Sequence, residues 1–471
     1  MESKKAAGIL ILKDSKIYET IGKKTYYRCI PFDTNLPSFI IPYQIKYNFS
    51  KVFENKYVVF RYQNQNDTKI WKGTLDETIG NVSDYNAYLK WILVANNLFF
   101  PKSKLPKDIS FSLFQNHFPY RQSNYVFSID PEGCADFDDA FSLQDNILSI
   151  YISNVPFFLE KLNFYDNFKP QINTIYLPQN ENKVQTKHLL PVELAENYCS
   201  LRADGQMKTT IVLDLNLETR KVSLEACRVI IQENFVYDTP NLEQNSHYQN
   251  IYQACQELDD DEKVHDCHSM VAFLMVLFNS HCGKMLENGI FRETVERNEF
   301  HALSRSNDNF LYYGNYTNKK SSIHRDLRIN SYAHCSSPIR RTVDIVNLIL
   351  LQQQEKLYSF SNKALQFASS WLEKTQKINE TCKKIKKVEN QANVLHLLKD
   401  KESLLIYGNV IGYEEENEMI VQYHLYFPDY KFSANVRSEP HTTPLKDQIQ
   451  CKLFKLSDEN LFYQKIRICI L

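Results

Sequence analysis

The stretch Ser128-Ile129-Asp130-Pro131-Glu132-Gly133-Cys134-Ala135-Asp136-Phe137-Asp138-Asp139-Ala140-Phe141 places four aspartates within ten residues, directly behind the apolar run 125–129. Asp-Pro opens a turn. Asp136 and Asp138 are two apart and share a face of an extended chain, whereas Asp139 reaches that face only through a turn. Clustered carboxylates are costly unless a cation neutralises them. Hard oxygen donors of this kind suit Mg²⁺ or Mn²⁺. An EF-hand is excluded, because counting from Asp130 gives Ala135 at the sixth loop position and Phe141 at the twelfth. Spacing alone leaves a metal site and a solvated acidic loop equally open.

Outward from this stretch, the chain divides into three patterns. Residues 1–112 read as β, with short apolar runs at 9–12, 25–30, 38–43 and 56–62 and polar breaks at 33–35 and 63–65. Short strands at close spacing predict a small barrel or sandwich. A helical spacing follows at 85–97, and Pro101 and Pro106 punctuate what comes next. Residues 113–400 alternate strand and helix, with strands expected at 147–155 and 209–214. The spacing predicts buried helices at 267–287, stopped by Gly289, and at 339–354. It predicts one long helical stretch at 362–398, free of Pro and Gly. Its lysines Lys374, Lys377, Lys383, Lys384, Lys386 and Lys387 read as a solvated face, some of them along a ligand path. Residues 401–471 return to β, with runs at 404–411, 419–426, 431–436, 450–454 and 464–471, the pattern of an OB-like barrel.

The chain has 471 residues, a length that suggests about three domains at roughly 150 residues each. Lys and Arg total 55 against 56 Asp and Glu, a net charge of −1. That balance excludes a disordered acidic chain and a polybasic tail, and by itself speaks against a nucleic-acid partner. A sum can nevertheless hide opposite local imbalances. Residues 319–344 carry Lys319, Lys320, Arg325, Arg328, Arg340 and Arg341, while the aspartate stretch and residues 257–262 are acidic. The 11 cysteines form no Cys-x-x-Cys pair, as expected of reduced thiols in a cytoplasmic protein. His265, Cys267 and His268 lack a second ligand pair at zinc-like spacing and are not read as a zinc site. The N-terminus shows no signal-peptide pattern, and the longest apolar stretch, 270–278, is far short of the ~20 residues of a membrane span.

Two further segments accompany the aspartates: Thr174-Ile175-Tyr176-Leu177-Pro178, followed by Leu189-Leu190-Pro191 and Cys199-Ser200-Leu201; and Cys335-Ser336-Ser337-Pro338-Ile339-Arg340-Arg341, with Asp344 beyond. Taken together, in this order and spacing, they resemble the ribonuclease II and ribonuclease R family, which includes the catalytic subunit of the eukaryotic exosome. The family signature Asp-Pro-x-x-Ala-x-Asp-x-Asp-Asp-Ala is met at its four acidic positions, with Cys134 at the first alanine. The resemblance covers residues 120–400 well and the flanks loosely.

The resemblance implies an α+β fold, an RNB-type catalytic core of mixed sheets and helices flanked by OB-like β-barrels. The division would be 1–112, a cold-shock or OB-like domain with a helical extension; 113–400, the catalytic domain; and 401–471, a C-terminal OB-like domain. It implies hydrolysis of single-stranded RNA from the 3′ end to 5′-monophosphates by two-metal catalysis with Mg²⁺ or Mn²⁺. Asp130, Asp136, Asp138 and Asp139 would form the metal site. Asp138, Asp136 and Arg340 would be catalytic, Arg340 clamping the scissile phosphate. Tyr176 would stack on the terminal base, and Arg341 and Glu389 would contact RNA. A monomer is expected, recruited by an RNA-processing partner.

The chain departs from the pattern where Asn154 replaces an Asp, Gln171 an Arg, Thr342 a Tyr, and Leu348-Ile349 a His-Arg pair. These departures motivate an alternative, a catalytically weak RNA-binding or regulatory protein that keeps the fold. A DNA-directed or endonucleolytic relative has no positive sign in the sequence.

Overall fold

The computed structural model describes the chain except residues 1–2, 15, 46–52, 64–70, 99–104, 107–108, 110, 115, 123–124, 179–183, 297–300, 303–311, 400, 418, 431, 440–447 and 458–463. Pro101, Lys431 and most of the break at 63–65 thus lie outside the described residues.

The N-terminal strands are β1 (Lys4–Leu10), β2 (Glu19–Ile21), β3 (Lys24–Pro31), β4 (Phe39–Pro42), β5 (Lys56–Tyr62) and β6 (Trp71–Asn81), followed by α1 (Tyr85–Ala95). In β3 the alternation is plain: Tyr27, Cys29 and Pro31 are buried between less buried neighbours, as a strand covered on one face requires. β1 pairs with β3 and β5, β3 with β4, β4 in parallel with β6, and β6 with β5. That ring, β1-β3-β4-β6-β5, is the strand order of an OB barrel, with β2 as a hairpin extension of β3. The side chain of Asp84 caps α1 by accepting from the Asn86 N–H at 2.9 Å. Trp91 of α1 stacks on Tyr57 and donates to the Gly8 carbonyl at 3.2 Å.

The central region runs β7 (Phe127–Asp130), β8 (Asp139–Gln144), β9 (Ile147–Ser153), α2 (Val155–Lys161), β10 (Ile175–Pro178), β11 (Val184–Lys187), β12 (Met207–Asn216), β13 (Val222–Ile230), β14 (Glu233–Val236), α3 (Pro240–Glu243), α4 (Ser246–Leu258) and α5 (Cys267–Met285). It continues with β15 (Phe291–Glu296), β16 (His301–Ala302), β17 (Tyr312–Thr317), β18 (Ile323–His324), β19 (Ile329–Asn330), α6 (Thr342–Gln354), α7 (Asn362–Leu372) and α8 (Thr375–Leu397). Its main sheet has the order β13-β12-β9-β8-β7-β14. Only the β14–β7 edge of it is parallel. The aspartate stretch is the connection from β7 to β8, with Asp130 ending one strand and Asp139 opening the next.

Four expectations need correction here. The strand expected at 147–155 ends at Ser153, because Asn154 caps α2. The helix expected at 267–287 ends at Met285 and is not buried all round, since His268, Ala272 and Lys284 are exposed. Gly289 is no helix stop; it lies four residues beyond, where Asn347 brackets Ile290 through both main-chain groups. The helix expected from 339 starts at Thr342, because the N–H groups of Arg340 and Arg341 both turn back to the Ser337 carbonyl. The stretch 362–398 is two helices, broken where the Lys374 N–H bonds back to the Trp371 carbonyl and Lys374 caps the second.

The C-terminal strands are β20 (Ser403–Asn417), β21 (Ile420–Phe427), β22 (Phe432–Ser438), β23 (Gln448–Ser457) and β24 (Gln464–Ile470). Their order, β22-β21-β20-β23-β24, closes where β22 meets β24, again an OB ring. α8 ties the molecule together. Its Ile385, Val388 and Ala392 share a core with Ala7, Ile9 and Ile11 of the first barrel and with Ile175 and Leu177 of β10. Just beyond them, Val394 and Leu398 at its C-terminal end share a core with the second barrel. Among the described residues, no helix is long and apolar enough to cross a membrane.

Candidate active site

The loop between β7 and β8 is held from behind by the Cys199-Ser200-Leu201 element. Ser200 Oγ accepts the Phe137 N–H at 3.0 Å and donates to the Ala135 carbonyl at 2.9 Å. Arg202 also donates to Ala135, and the Leu201 N–H donates to Phe137. These bonds fix the main chain on both sides of Asp136. On the other flank, the Ser153 N–H donates to the Asp138 carbonyl at 2.9 Å.

The four carboxylates converge in a water-poor setting. Asp138 is 3% and Asp139 8% exposed. Burial pushes the Asp138 carboxyl up to about 7 against the opposing pull of Arg340, and the Asp130 carboxyl up to about 6. Burial also raises Asp136, and Asp139 most of all, its second cause being the neighbouring charge of Asp130. Asp130 Oδ2, Asp136 Oδ2 and Asp139 Oδ2 are buried without a hydrogen-bond partner. Buried carboxylate oxygens in that condition call for a proton or a cation. The donor set, all hard oxygen, therefore fits a Mg²⁺-like ion. No three of these carboxylates bring their oxygens within 4.8 Å of one another, so the set is wider than one tight cage. Cys134 Sγ stands 3.8 Å from an oxygen of Asp130 and from one of Asp136.

Asp138 differs from its neighbours. Its Oδ1 accepts the Ile339 N–H at 2.8 Å, and its Oδ2 accepts from Arg340 Nε at 3.1 Å. The turn before α6 leaves Arg340 outside the helix and aims it back at the aspartates. Its side chain remains 47% exposed and also donates to Ser337 Oγ at 3.1 Å. Arg341 turns the other way. It donates to the fully buried Asp344 at 2.9 Å and lies 3.5 Å from Ser336 Oγ, which gives it a structural tie within the turn.

The segment before β10 pairs with this turn: the Thr174 N–H donates to Arg340 O and the Thr342 N–H to Ile172 O. Tyr176 is thereby carried beside Arg340. It is 37% exposed. Burial raises its hydroxyl's pKa, Asp136 being the next cause. The Tyr176 N–H donates to Glu389 Oε1 at 3.0 Å, so Glu389 holds the strand that presents the ring. The structure thus brings Asp130, Asp136, Asp138, Asp139, Arg340, Tyr176 and Glu389 to one place, with Arg341 engaged beneath them.

Other residues join them. His188 faces Asp136 and favours its ionised form. Tyr237 lies against Asp139 and Asp130, whose charges help to raise its hydroxyl's pKa after burial. Neither sits in a local pattern; Tyr237 is brought in by the parallel pairing of β14 with β7. The departures fall in the packing. Asn154 and Gln352, both fully buried, exchange two amide hydrogen bonds at 2.9 and 3.0 Å. Gln171 donates to the carbonyls of Lys187 and His188. Thr342, Leu348 and Ile349 are buried in or beside the core.

The RNB domain family matches residues 120–239. Ribonuclease R of Mycoplasma genitalium is 24% identical over 191 residues, 37% of this chain but only 26% of that protein. The structure of that enzyme with ribose methylated single-stranded RNA superposes with a TM-score of 0.71 at 16% identity, covering 99% of this chain and 89% of the other. Yeast Ssd1, a pseudonuclease, gives 0.62 at 14% identity over 96% of this chain and 68% of its own. The Dss1 exoribonuclease of Candida glabrata, an active-site mutant, gives 0.54 at 14% over 80% and 61%. Residues 120–239 thus match the RNB domain family and lie between two OB-type barrels, and the fold of the chain is that of the ribonuclease R structure.

Proposed function

We propose that the chain is a divalent-metal-dependent exoribonuclease that degrades single-stranded RNA from its 3′ end to 5′-monophosphates. The observation that carries this reading is the convergence of three buried, unpartnered carboxylate oxygens on one side of Arg340 and Tyr176. Asp130, Asp136 and Asp139 would hold Mg²⁺ or Mn²⁺. Such ions lower the pKa of a bound water and offset charge on the attacking and leaving oxygens. Asp138 belongs to the same set by position, and its two bonds also orient Arg340. Held by Nε on Asp138 and by Nη2 on Ser337 Oγ, the guanidinium still has N–H groups on its outer nitrogens to offer phosphate oxygens. Tyr176 offers its ring to the terminal base, and Glu389 fixes the height of that ring. Burial excludes water around the carboxylates, which strengthens every charge interaction there. The two barrels that pack on the C-terminal half of α8 would guide the strand inward as the flanking RNA-binding domains.

One observation favours a second reading, an RNA-binding protein without turnover. Both oxygens of Asp138 are already engaged by Ile339 and Arg340, and one relative of the same fold is a pseudonuclease. 5′-labelled single-stranded RNA and the matching DNA, incubated with protein and Mg²⁺, separate these readings. A ladder on RNA that EDTA abolishes supports the exoribonuclease. Tight RNA binding with no shortening over hours supports the second reading. A ladder on DNA of equal rate contradicts both, because the 2′-hydroxyl is the feature to be read.

A further inference from the structure

Away from the aspartates, Asp238, Cys267 and His268 meet where the end of β14 touches the first turn of α5. Cys267 Sγ lies 3.2 Å from Asp238 Oδ1, and His268 Nε2 lies 3.0 Å from Asp238 Oδ2. Among the described residues, this is the group of three whose ligand atoms all fall within 4.8 Å of one another. Sequence spacing could not show it, since the third donor comes from a different element, some thirty residues earlier.

We propose that these three side chains form a second cation site, selective for Zn²⁺ or a similar borderline-soft ion. Sulfur, imidazole and carboxylate together select such ions over Mg²⁺. Tetrahedral zinc, with bonds of about 2.3 Å to sulfur and about 2.0–2.1 Å to nitrogen and oxygen, spaces its donors by roughly 3.3–3.6 Å. The two contacts of 3.2 and 3.0 Å fall on different oxygens of Asp238, and one ligand atom from each residue lies within 4.8 Å of the others, so the donors need to rearrange around the ion to reach that spacing. Three protein donors leave the fourth position to water.

The surroundings orient the donors. The His268 ring stacks on Tyr237 at 4.1 Å with an 8° tilt, which fixes its plane. Asp238 sits at φ 57°, a left-handed conformation that Asp tolerates better than most residues, and its carboxylate points back at α5. Thr239 Oγ1 bonds the Val236 carbonyl at 2.8 Å and closes the turn around it. His265 takes no part, because its ring nitrogens lie outside the 4.8 Å group and its Nε2 instead faces Asp266 at 3.7 Å. Binding displaces one proton from the Cys267 thiol, which burial and the Asp238 and Asp266 carboxylates hold in its neutral form until a cation is present. The ion would pin α5 to β14 one residue from Tyr237, whose N–H donates to the Asp130 carbonyl at 3.2 Å. The three donors are distinct from the carboxylates and Arg340 of the proposed nuclease centre, while Tyr237 borders both sites.

The test is Co²⁺ titration of the EDTA-treated full chain, read by the near-ultraviolet thiolate-to-cobalt charge-transfer absorption, which an all-oxygen site cannot give. The expected result is a band that saturates at one equivalent, is displaced by Zn²⁺ and persists in excess Mg²⁺. It should vanish in Cys267→Ser and need about tenfold or more cobalt in His268→Ala and Asp238→Asn. The last two positions are exposed, and an unchanged metal-free melting temperature shows that these variants fold. No band in the wild type, or a band that survives in Cys267→Ser, overturns the proposal and leaves the trio a hydrogen-bonded surface cluster.

Discussion

Asp138 and Asp139 are adjacent in sequence but face different partners. Asp138 is satisfied by a main-chain N–H and a guanidinium, whereas Asp139 keeps an unpartnered oxygen against Asp130. The motif spacing made all four aspartates and Arg340 legible, because a short loop between neighbouring strands must bring its own residues together. It could not divide them by task, since that depends on a turn some 200 residues later. Nor could spacing show that the guanidinium of Arg341, expected to contact RNA, is tied to the buried Asp344. Tyr176 tests the RNA end of the account. Tyr176→Ala should weaken single-stranded RNA binding by about 1–3 kcal/mol, the worth of one base–aromatic stack, with the melting temperature nearly unchanged. Fluorescence anisotropy measures the first and calorimetry the second. Equal affinity for variant and wild type would make Tyr176 a packing residue.

At the scale of elements, the strongly patterned pieces were readable and the weakly patterned ones were not. All five C-terminal strands follow their apolar runs closely. β6 escaped notice because its side chains are mostly exposed or half-buried, and Gly73 is the one buried residue along it. It is a strand by virtue of its two neighbours. The limits of α5 and α6 depend on bonds that spacing does not show: Gln354 donates to the Met285 carbonyl and accepts the Glu287 N–H at the end of α5, and a turn onto the Ser337 carbonyl precedes α6. α5 carries a close approach that is equally invisible in sequence. A Cβ on Gly283 would lie 1.9 Å from the Ser331 carbonyl, so only glycine lets α5 lie against the segment leading to Ser336 and Arg340. Gly283→Ala should therefore destabilise the fold by about 1–3 kcal/mol, the usual cost of overpacking, or more. Urea denaturation reads this directly, and a variant as stable as wild type would mean that the helix shifts at no cost. The Asn154–Gln352 pair is the converse case: a departure from the family pattern that the packing answers with a matched amide.

For the whole molecule, α8 is the unifying element, its C-terminal half packing against the first barrel and β10 and its last turn against the second barrel. Its lysines Lys374, Lys377, Lys383, Lys384, Lys386 and Lys387 are exposed, as their spacing suggested, and Lys383 lies over the Tyr313 ring at 4.8 Å. The net charge of −1 is then a sum over a buried acidic centre and basic stretches elsewhere. RNA affinity should fall steeply with salt despite that neutral total, by roughly 0.7 log units per tenfold salt for each phosphate neutralised on a single strand. A flat salt dependence would remove the basic path. The central claim is that the aspartate centre cleaves RNA, and product analysis under Mg²⁺ tests it most directly. Wild type should release 5′-monophosphates from single-stranded RNA. Asp138→Asn should lose about a hundredfold or more of that rate, the usual cost of losing one precisely placed electrostatic group, while still binding RNA. Monophosphate release by Asp138→Asn at the wild-type rate, or none from the wild type, would contradict it.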